Sequence, residues 1–146
     1  MTTDAAQQTT GDTLSIPADI LIIDDDQRWL TLVVELIATE MTDFNVATAE
    51  SLAAGREQFD AEAFDCIVCD YRLGDGTGLE LLKEVRASRP ELPFILITSR
   101  GDESVAADAI SLGVTDYIEK ELIREAFDTP EESVLATKLR KVIRSY

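Results

Sequence analysis

The chain has no histidine and only two cysteines, too few ligands for a zinc site of the usual kinds. Cys66 and Cys69 form a C-x-x-C, but Ile and Val lie between them in a strand-like run. A redox pair of that spacing normally opens a helix, whose amino end lowers the thiol pKa. In a strand, positions three apart point to opposite faces, so two buried small hydrophobes are expected. No stretch approaches the roughly 18 uninterrupted apolar residues of a membrane span. The amino terminus lacks a basic stretch ahead of an apolar one, which excludes the usual secretory signal. No membrane insertion and a cytoplasmic location are the expectations. Positive charge is scarce too: 13 Lys and Arg against 29 Asp and Glu leave a net charge of −16. Such a chain repels a nucleic-acid backbone, so no direct nucleic-acid binding is expected. The basic clusters, Lys138-Leu139-Arg140-Lys141 with Arg144 and Arg86 with Arg89, read as solvated helix faces.

What is present suffices for one domain. At 146 residues and 45% apolar content the chain can bury one core. Residues 1–17, rich in Thr, Gln and Asp, are expected to be a flexible tail, and 18–146 the domain. Strand and helix alternate five times. Residues 19–24 form a continuous Ile/Leu strand of the kind covered on both faces. Helix 27–39 sets Leu30, Val33, Val34 and Ile37 on one stripe, with Asp26 as N-cap. Strand 44–48, helix 50–61 and strand 64–69 follow. After a glycine-rich loop (74–78) come helix 79–88, strand 94–98 and helix 102–112, closed by Gly113. Strand 115–119 and an amphipathic helix over 130–144 end the pattern. Regular alternation predicts a parallel sheet with helices on both faces.

Four of the apolar runs end in a polar residue suited to phosphoryl chemistry. Ile20-Leu21-Ile22-Ile23 runs into Asp24-Asp25-Asp26, Cys66-Ile67-Val68-Cys69 into Asp70, Phe94-Ile95-Leu96-Ile97 into Thr98, and Tyr117-Ile118-Glu119 into Lys120. Open α/β sheets bind ligands in the crevice outside the carboxyl ends of their strands. One acidic turn alone is most often a helix cap, and a lone Thr or Lys is most often packed or solvated. Two acidic strand ends together repel one another and call for a cation, and Mg²⁺ suits carboxylates, backbone oxygen and water. Lys120 can neutralise a phosphoryl oxygen and Thr98 can donate to another. Asp70 would then be the nucleophile, because a carboxylate forms a covalent phosphoryl intermediate once its charge is screened. The loop Gly74-Asp75-Gly76-Thr77-Gly78 lacks the Lys-Ser/Thr ending of a P-loop, so nucleotide binding there is not expected.

The segments Ile-Leu-Ile-Ile-Asp-Asp-Asp (20–26), Cys-Asp-Tyr-Arg-Leu-Gly-Asp-Gly-Thr-Gly-Leu-Glu-Leu (69–81), Ile-Leu-Ile-Thr-Ser (95–99) and Asp-Tyr-Ile-Glu-Lys (116–120) carry a resemblance. In combination and order they resemble the receiver domain of two-component response regulators, over residues 18–146. The resemblance implies a flavodoxin-like α/β fold, a five-stranded parallel sheet in order 2-1-3-4-5 with five flanking helices. It implies a phosphorylation-controlled switch, not an enzyme acting on other molecules. Asp70 resembles the phosphoacceptor, and Asp24 and Asp25 the acidic pair that organises Mg²⁺, Asp25 directly and Asp24 through water. The backbone carbonyl of Arg72 resembles a further metal ligand, Thr98 the switch hydroxyl, Lys120 the lysine that pairs with the phosphoryl group, and Tyr117 the switch aromatic. The implied partners are a sensor histidine kinase or histidine phosphotransfer protein as donor, and a downstream protein target or a second copy in a homodimer. A stand-alone single-domain type, with output through the helix-four/strand-five/helix-five face, is expected.

Three features depart from the family pattern. Glu121 stands where proline commonly follows the lysine, often through a cis bond. The stretch 121–129 is longer than the usual link to the last helix, and Leu122, Ile123, Ala126 and Phe127 have the makings of an extra helical turn. Arg72 and Arg100 stand two residues after Asp70 and Thr98, where the resemblance implies that side chains flank the path of a hydrolytic water, and they are expected to alter acyl-phosphate lifetime. Two other readings stand beside the switch. One is a receiver-like interaction module without phosphoryl turnover. The other is a haloacid-dehalogenase-type phosphatase, suggested by Asp24-x-Asp26, although Arg28 stands where that family expects Thr or Val.

Overall fold

Runs of Ile, Leu and Val without a polar break make strands that must be covered on both faces, and the chain covers them with helices. The computed structural model describes residues 17–41, 43–99, 102–125 and 134–144. Its elements are β1 (Ala18–Ile23), α1 (Gln27–Glu40), β2 (Phe44–Ala49), α2 (Leu52–Ala61), β3 (Cys66–Asp70), a minimal hairpin of β4 (Arg72–Leu73) and β5 (Gly76–Thr77), α3 (Gly78–Ser88), β6 (Phe94–Thr98), α4 (Glu103–Ser111), β7 (Asp116–Glu119), α5 (Lys120–Glu125) and α6 (Val134–Arg144). The main sheet is five-stranded and parallel, in order β2-β1-β3-β6-β7. Setting aside the two-residue strands, this is the expected order 2-1-3-4-5.

Alternation of side chains along each strand divides the interior into two layers. Ile20, Ile22, Val68, Ile95 and Ile97 face Trp29, Leu30, Val33 and Ile37 of α1, Ile123 of α5, and Leu135 and Leu139 of α6. Leu21, Ile23, Ile67, Phe94 and Leu96 face Leu52 of α2, Leu81, Leu82 and Val85 of α3, and Val105 and Ala109 of α4. Cys66 belongs to the first layer and Cys69 to the second, both as free buried thiols. Burial pushes both thiols up in pKa, with a further push from Asp65 on Cys66 and from Asp70 on Cys69. The redox reading of C-x-x-C has no support in that placement.

The expected caps are present. Asp26 accepts from the backbone N–H groups of Arg28 and Trp29 at the start of α1. Gly113 takes a φ of 89° just past α4, a conformation side-chain-bearing residues rarely adopt.

Two expectations need correction. Five helices were expected around the sheet; six are described, the sixth being the extra turn foreseen after Lys120, which opens the short α5. Leu122 and Ile123 do form the extra turn, Ala126 and Phe127 lie outside the described residues, and so do Pro130 and all of the tail except Pro17. Within the basic clusters Arg86, Lys138 and Arg140 tie elements together, while Arg89 and Lys141 are exposed as expected. Arg86 donates to the carbonyls of Gly113 and Arg89, Lys138 pairs with Asp116 at 2.6 Å, and Arg140 donates to the carbonyl of Glu40. Each guanidinium donates to a carbonyl at or just past a helix end, where intrahelical partners run out.

Candidate functional site

Strand register assembles the site. Ile23 pairs with Cys69, so Asp24 and Asp70 follow side by side. Asp70 pairs with Ile97, which puts Thr98 one step further out on β6. Thr98 pairs with Glu119, and Lys120 follows. Parallel strands therefore deliver two carboxylates, a hydroxyl and an ammonium to one end of the sheet. Gly78 lets the α3 start close over that end, since a Cβ there would come within 2.6 Å of the Asp70 carbonyl.

Asp24 is fully buried, and Asp70 and Thr98 are nearly so. Asp25 is exposed, yet one oxygen from each of Asp24, Asp25 and Asp70 lies within 4.8 Å of the others. Asp24 Oδ1 accepts from the Asp26 N–H at 2.8 Å, which folds the turn back on itself. Lys120 Nζ stands 2.8 Å from Asp24 Oδ2 and 3.4 Å from Asp70 Oδ2. Opposite charge at that short distance holds the Lys120–Asp24 pair. Asp70 Oδ1 faces the Arg72 N–H at 3.4 Å.

Burial and the neighbouring Asp24 push the Asp70 carboxyl up to about 7, against the opposing pull of Lys120 and the Arg72 N–H. Burial alone would lower the Lys120 ammonium, but Asp24 and Asp70 outweigh it and hold it above its ordinary value. One ammonium among three carboxylates leaves negative charge in excess. Hard oxygens, one buried carboxylate oxygen met only by an ammonium and a carboxyl raised by its neighbour fit a small divalent cation such as Mg²⁺.

Three further residues build the site without having announced themselves. Trp29, in the first turn of α1, lays its ring 4.6 Å from Lys120 Nζ. Asp102, buried at the start of α4, takes a two-point ion pair from the Arg72 guanidinium, at 2.6 and 3.2 Å. Asp75 caps α2 by accepting from the N–H groups of Leu52 and Ala53, which tethers the glycine-rich loop. Arg72 therefore extends its side chain toward α4. Arg100 lies outside the described residues. Tyr117 is 40% exposed on β7. It lines a surface cavity of about 480 Å³ with Thr98, Asp102, Leu122 and Lys138. The Lys120–Glu121 bond is trans.

The sequence profile of the response regulator receiver domain matches residues 20–129. The chain belongs to that family. Receiver domains are signalling modules and not enzymes in their own right; they take Mg²⁺ at an acidic pocket and act with histidine kinases or phosphotransfer proteins. The acidic cluster of this receiver domain is Asp24, Asp25 and Asp70. It is 32% identical over 118 residues to the transcriptional regulatory protein ZraR of Escherichia coli K12, covering 81% of this chain and 26% of that one. It is 36% identical over 101 residues to the photosynthetic apparatus regulatory protein RegA of Rhodobacter capsulatus, covering 69% and 54%. The chain thus spans about a quarter to a half of the length of these curated relatives. Among solved structures, a receiver domain protein from Clostridium thermocellum superposes with a TM-score of 0.70 at 26% identity, over 88% of this chain and 92% of that one. No described helix of this receiver domain is long and apolar enough to cross a membrane.

Proposed function

We propose that this receiver domain is a phosphorylation-controlled switch that accepts a phosphoryl group on Asp70. The observation that carries the proposal is the meeting of Asp24, Asp25 and Asp70 within 4.8 Å, with Lys120 bridging two of them. An Asp70 carboxylate oxygen attacks the phosphorus of a phosphohistidine, the phosphorus–nitrogen bond breaks, and the donor imidazole leaves with the bonding pair and takes up a proton. Asp24, Asp25, Asp70 and the Arg72 carbonyl would hold Mg²⁺, whose charge would screen the negative charge gathered there. Lys120 shifts from Asp24 toward the new phosphoryl oxygens, and Thr98 donates to another.

Phosphorylation adds roughly −1.5 to −2 charge at a site already rich in carboxylates. Thr98 moving toward it vacates one wall of the cavity that Tyr117 lines, and Tyr117 turns inward. The signal then leaves through the face built from α4, β7, α5 and α6, where Tyr117, Leu122 and Ile110 are exposed. The domain works by docking a downstream protein, by pairing with a second copy, or by relay to a phosphotransfer protein in the cytoplasm. It does not contact nucleic acid directly.

A second reading, an interaction module without phosphoryl turnover, draws on one feature: Lys120 stands closer to Asp24 than to Asp70 and is anchored as the first residue of α5. Incubation with acetyl phosphate and Mg²⁺, followed by intact mass measurement, separates the two. A single phosphoryl adduct on the unsubstituted chain, lost in Asp70→Asn, supports the switch. No adduct with acetyl phosphate or with any phosphorylated histidine donor supports the inert module.

A further inference from the structure

We propose that Trp29 is a positioning residue for phosphoryl transfer, its indole face holding the Lys120 ammonium where it can pass from Asp24 to a phosphoryl group on Asp70. The inference rests on the switch reading above and adds a residue to it.

Trp29 is the chain's only tryptophan and is 2% exposed. Its ring centroid lies 4.6 Å from Lys120 Nζ, within the range of a cation–π contact. Lys120 is thus flanked by Asp24 Oδ2, Asp70 Oδ2 and the indole face. The three neighbours differ in kind. The carboxylates attract the ammonium strongly and compete for it with any incoming anion. The indole attracts it without charge and over a whole surface, so the attraction survives small sideways displacements. A lysine held by carboxylates alone would tend to remain on Asp24. On an aromatic floor it keeps part of its stabilisation while it moves.

The indole N–H gives a second, independent reason. Trp29 Nε1 is buried with no hydrogen-bond partner among the described residues. An unpaired buried donor is destabilising, and Phe or Leu would fill the same layer without one. What indole offers over either is the strongest cation-binding face of the side chains. Placement is built in as well. The Asp26 cap fixes the first turn of α1, so the turn that presents Asp24 and Asp25 also presents Trp29.

The test compares Trp29→Phe and Trp29→Leu with the unsubstituted full chain, using acetyl phosphate and Mg²⁺. Phe keeps an aromatic face and Leu keeps only apolar bulk. Phosphorylation of Trp29→Leu should slow by about ten-fold, and that of Trp29→Phe by about three-fold or less. Calorimetric Mg²⁺ affinity should stay within about two-fold in both, since neither change removes an oxygen ligand. On the unsubstituted protein, the Lys120 ε-methylene protons should show an upfield ring-current shift that Trp29→Phe retains and Trp29→Leu loses. That shift needs no variant to establish the contact, so a poorly folding Trp29→Leu does not protect the proposal. Equal slowing in Phe and Leu would reduce Trp29 to a packing residue. An unshifted ε-methylene, or Trp29→Leu reacting at the unsubstituted rate beside a normal adduct on the unsubstituted chain, overturns this inference alone. Absence of any adduct on the unsubstituted chain overturns the switch reading and this inference with it.

Discussion

The middle of the sheet and its carboxyl end are one residue apart and obey opposite rules. Ile22 and Ile23 are buried among apolar neighbours and pair with Val68 and Cys69 in register. Asp24 and Asp70, the next positions, are as deeply buried but carry charge against charge, relieved by one ammonium. Burial stabilises the first pair of positions and strains the second. The same strands that build the core therefore end in groups held in a state they would not choose in water, ready to exchange partners with a cation or a phosphoryl group.

Substitutions on either side of that boundary sharpen the contrast. The largest effect is expected from Asp70→Asn, which should abolish the phosphoryl adduct in intact mass measurement; an adduct of undiminished yield would break the comparison outright. Ile22→Ala should lose about 2–5 kcal/mol in denaturant unfolding through transfer and cavity terms. Its folded fraction should bind Mg²⁺ with affinity unchanged within about two-fold, because no oxygen ligand is removed.

A pH series separates the two regions further. Asp70 is a carboxyl whose folded pKa, about 7, lies above its ordinary value of 3.8. The folded state then binds the proton more tightly than the unfolded state, so stability falls as pH rises between those values. Without metal, Asp70→Asn should be more stable than the unsubstituted chain at pH 8, by on the order of 1–3 kcal/mol, with the gap closing toward pH 4. Saturating Mg²⁺ should narrow the gap at pH 8, and an Ile22→Ala penalty should not follow this profile. A gap that widens on acidification would contradict the raised carboxyl.

Smaller effects test how the boundary is held. Asp26→Ala removes the α1 cap and should cost about 0.5–2 kcal/mol, weakening Mg²⁺ binding as the acidic turn loosens. Arg72→Ala should change acyl-phosphate lifetime by no more than a few-fold, because the guanidinium is exposed and already engaged by Asp102. An unchanged lifetime in the paired Arg72→Ala, Arg100→Ala variant would discard the shielding role of these arginines.

Much of this was legible in the amino-acid sequence. Periodicity located the strands, because runs such as Ile20-Leu21-Ile22-Ile23 admit few other fates, and the polar residue ending each run marked the crevice. The long link 121–129, with Leu122 and Ile123 in it, pointed to an extra helical turn, and α5 forms there. Other features could not be read, for physical reasons. Arg86 and Arg140 bind backbone carbonyls, which every residue offers equally, so no pattern marks the partner. Arg72, in the short β4, and Asp102, at the start of α4, stand 30 residues apart, and their approach depends on sheet register. Trp29 carries no mark of its own in the sequence until β7 and α5 bring Lys120 over its ring.

The most direct test is a crystal structure with Mg²⁺ and beryllium trifluoride, a phosphoryl mimic. The account predicts beryllium bonded to an Asp70 carboxylate oxygen, the metal against Asp25, Asp70 and the Arg72 carbonyl, and Lys120 moved off Asp24 to a fluorine. Metal bound elsewhere on the acidic surface, with the Lys120–Asp24 pair intact and Asp70 bare, would contradict it.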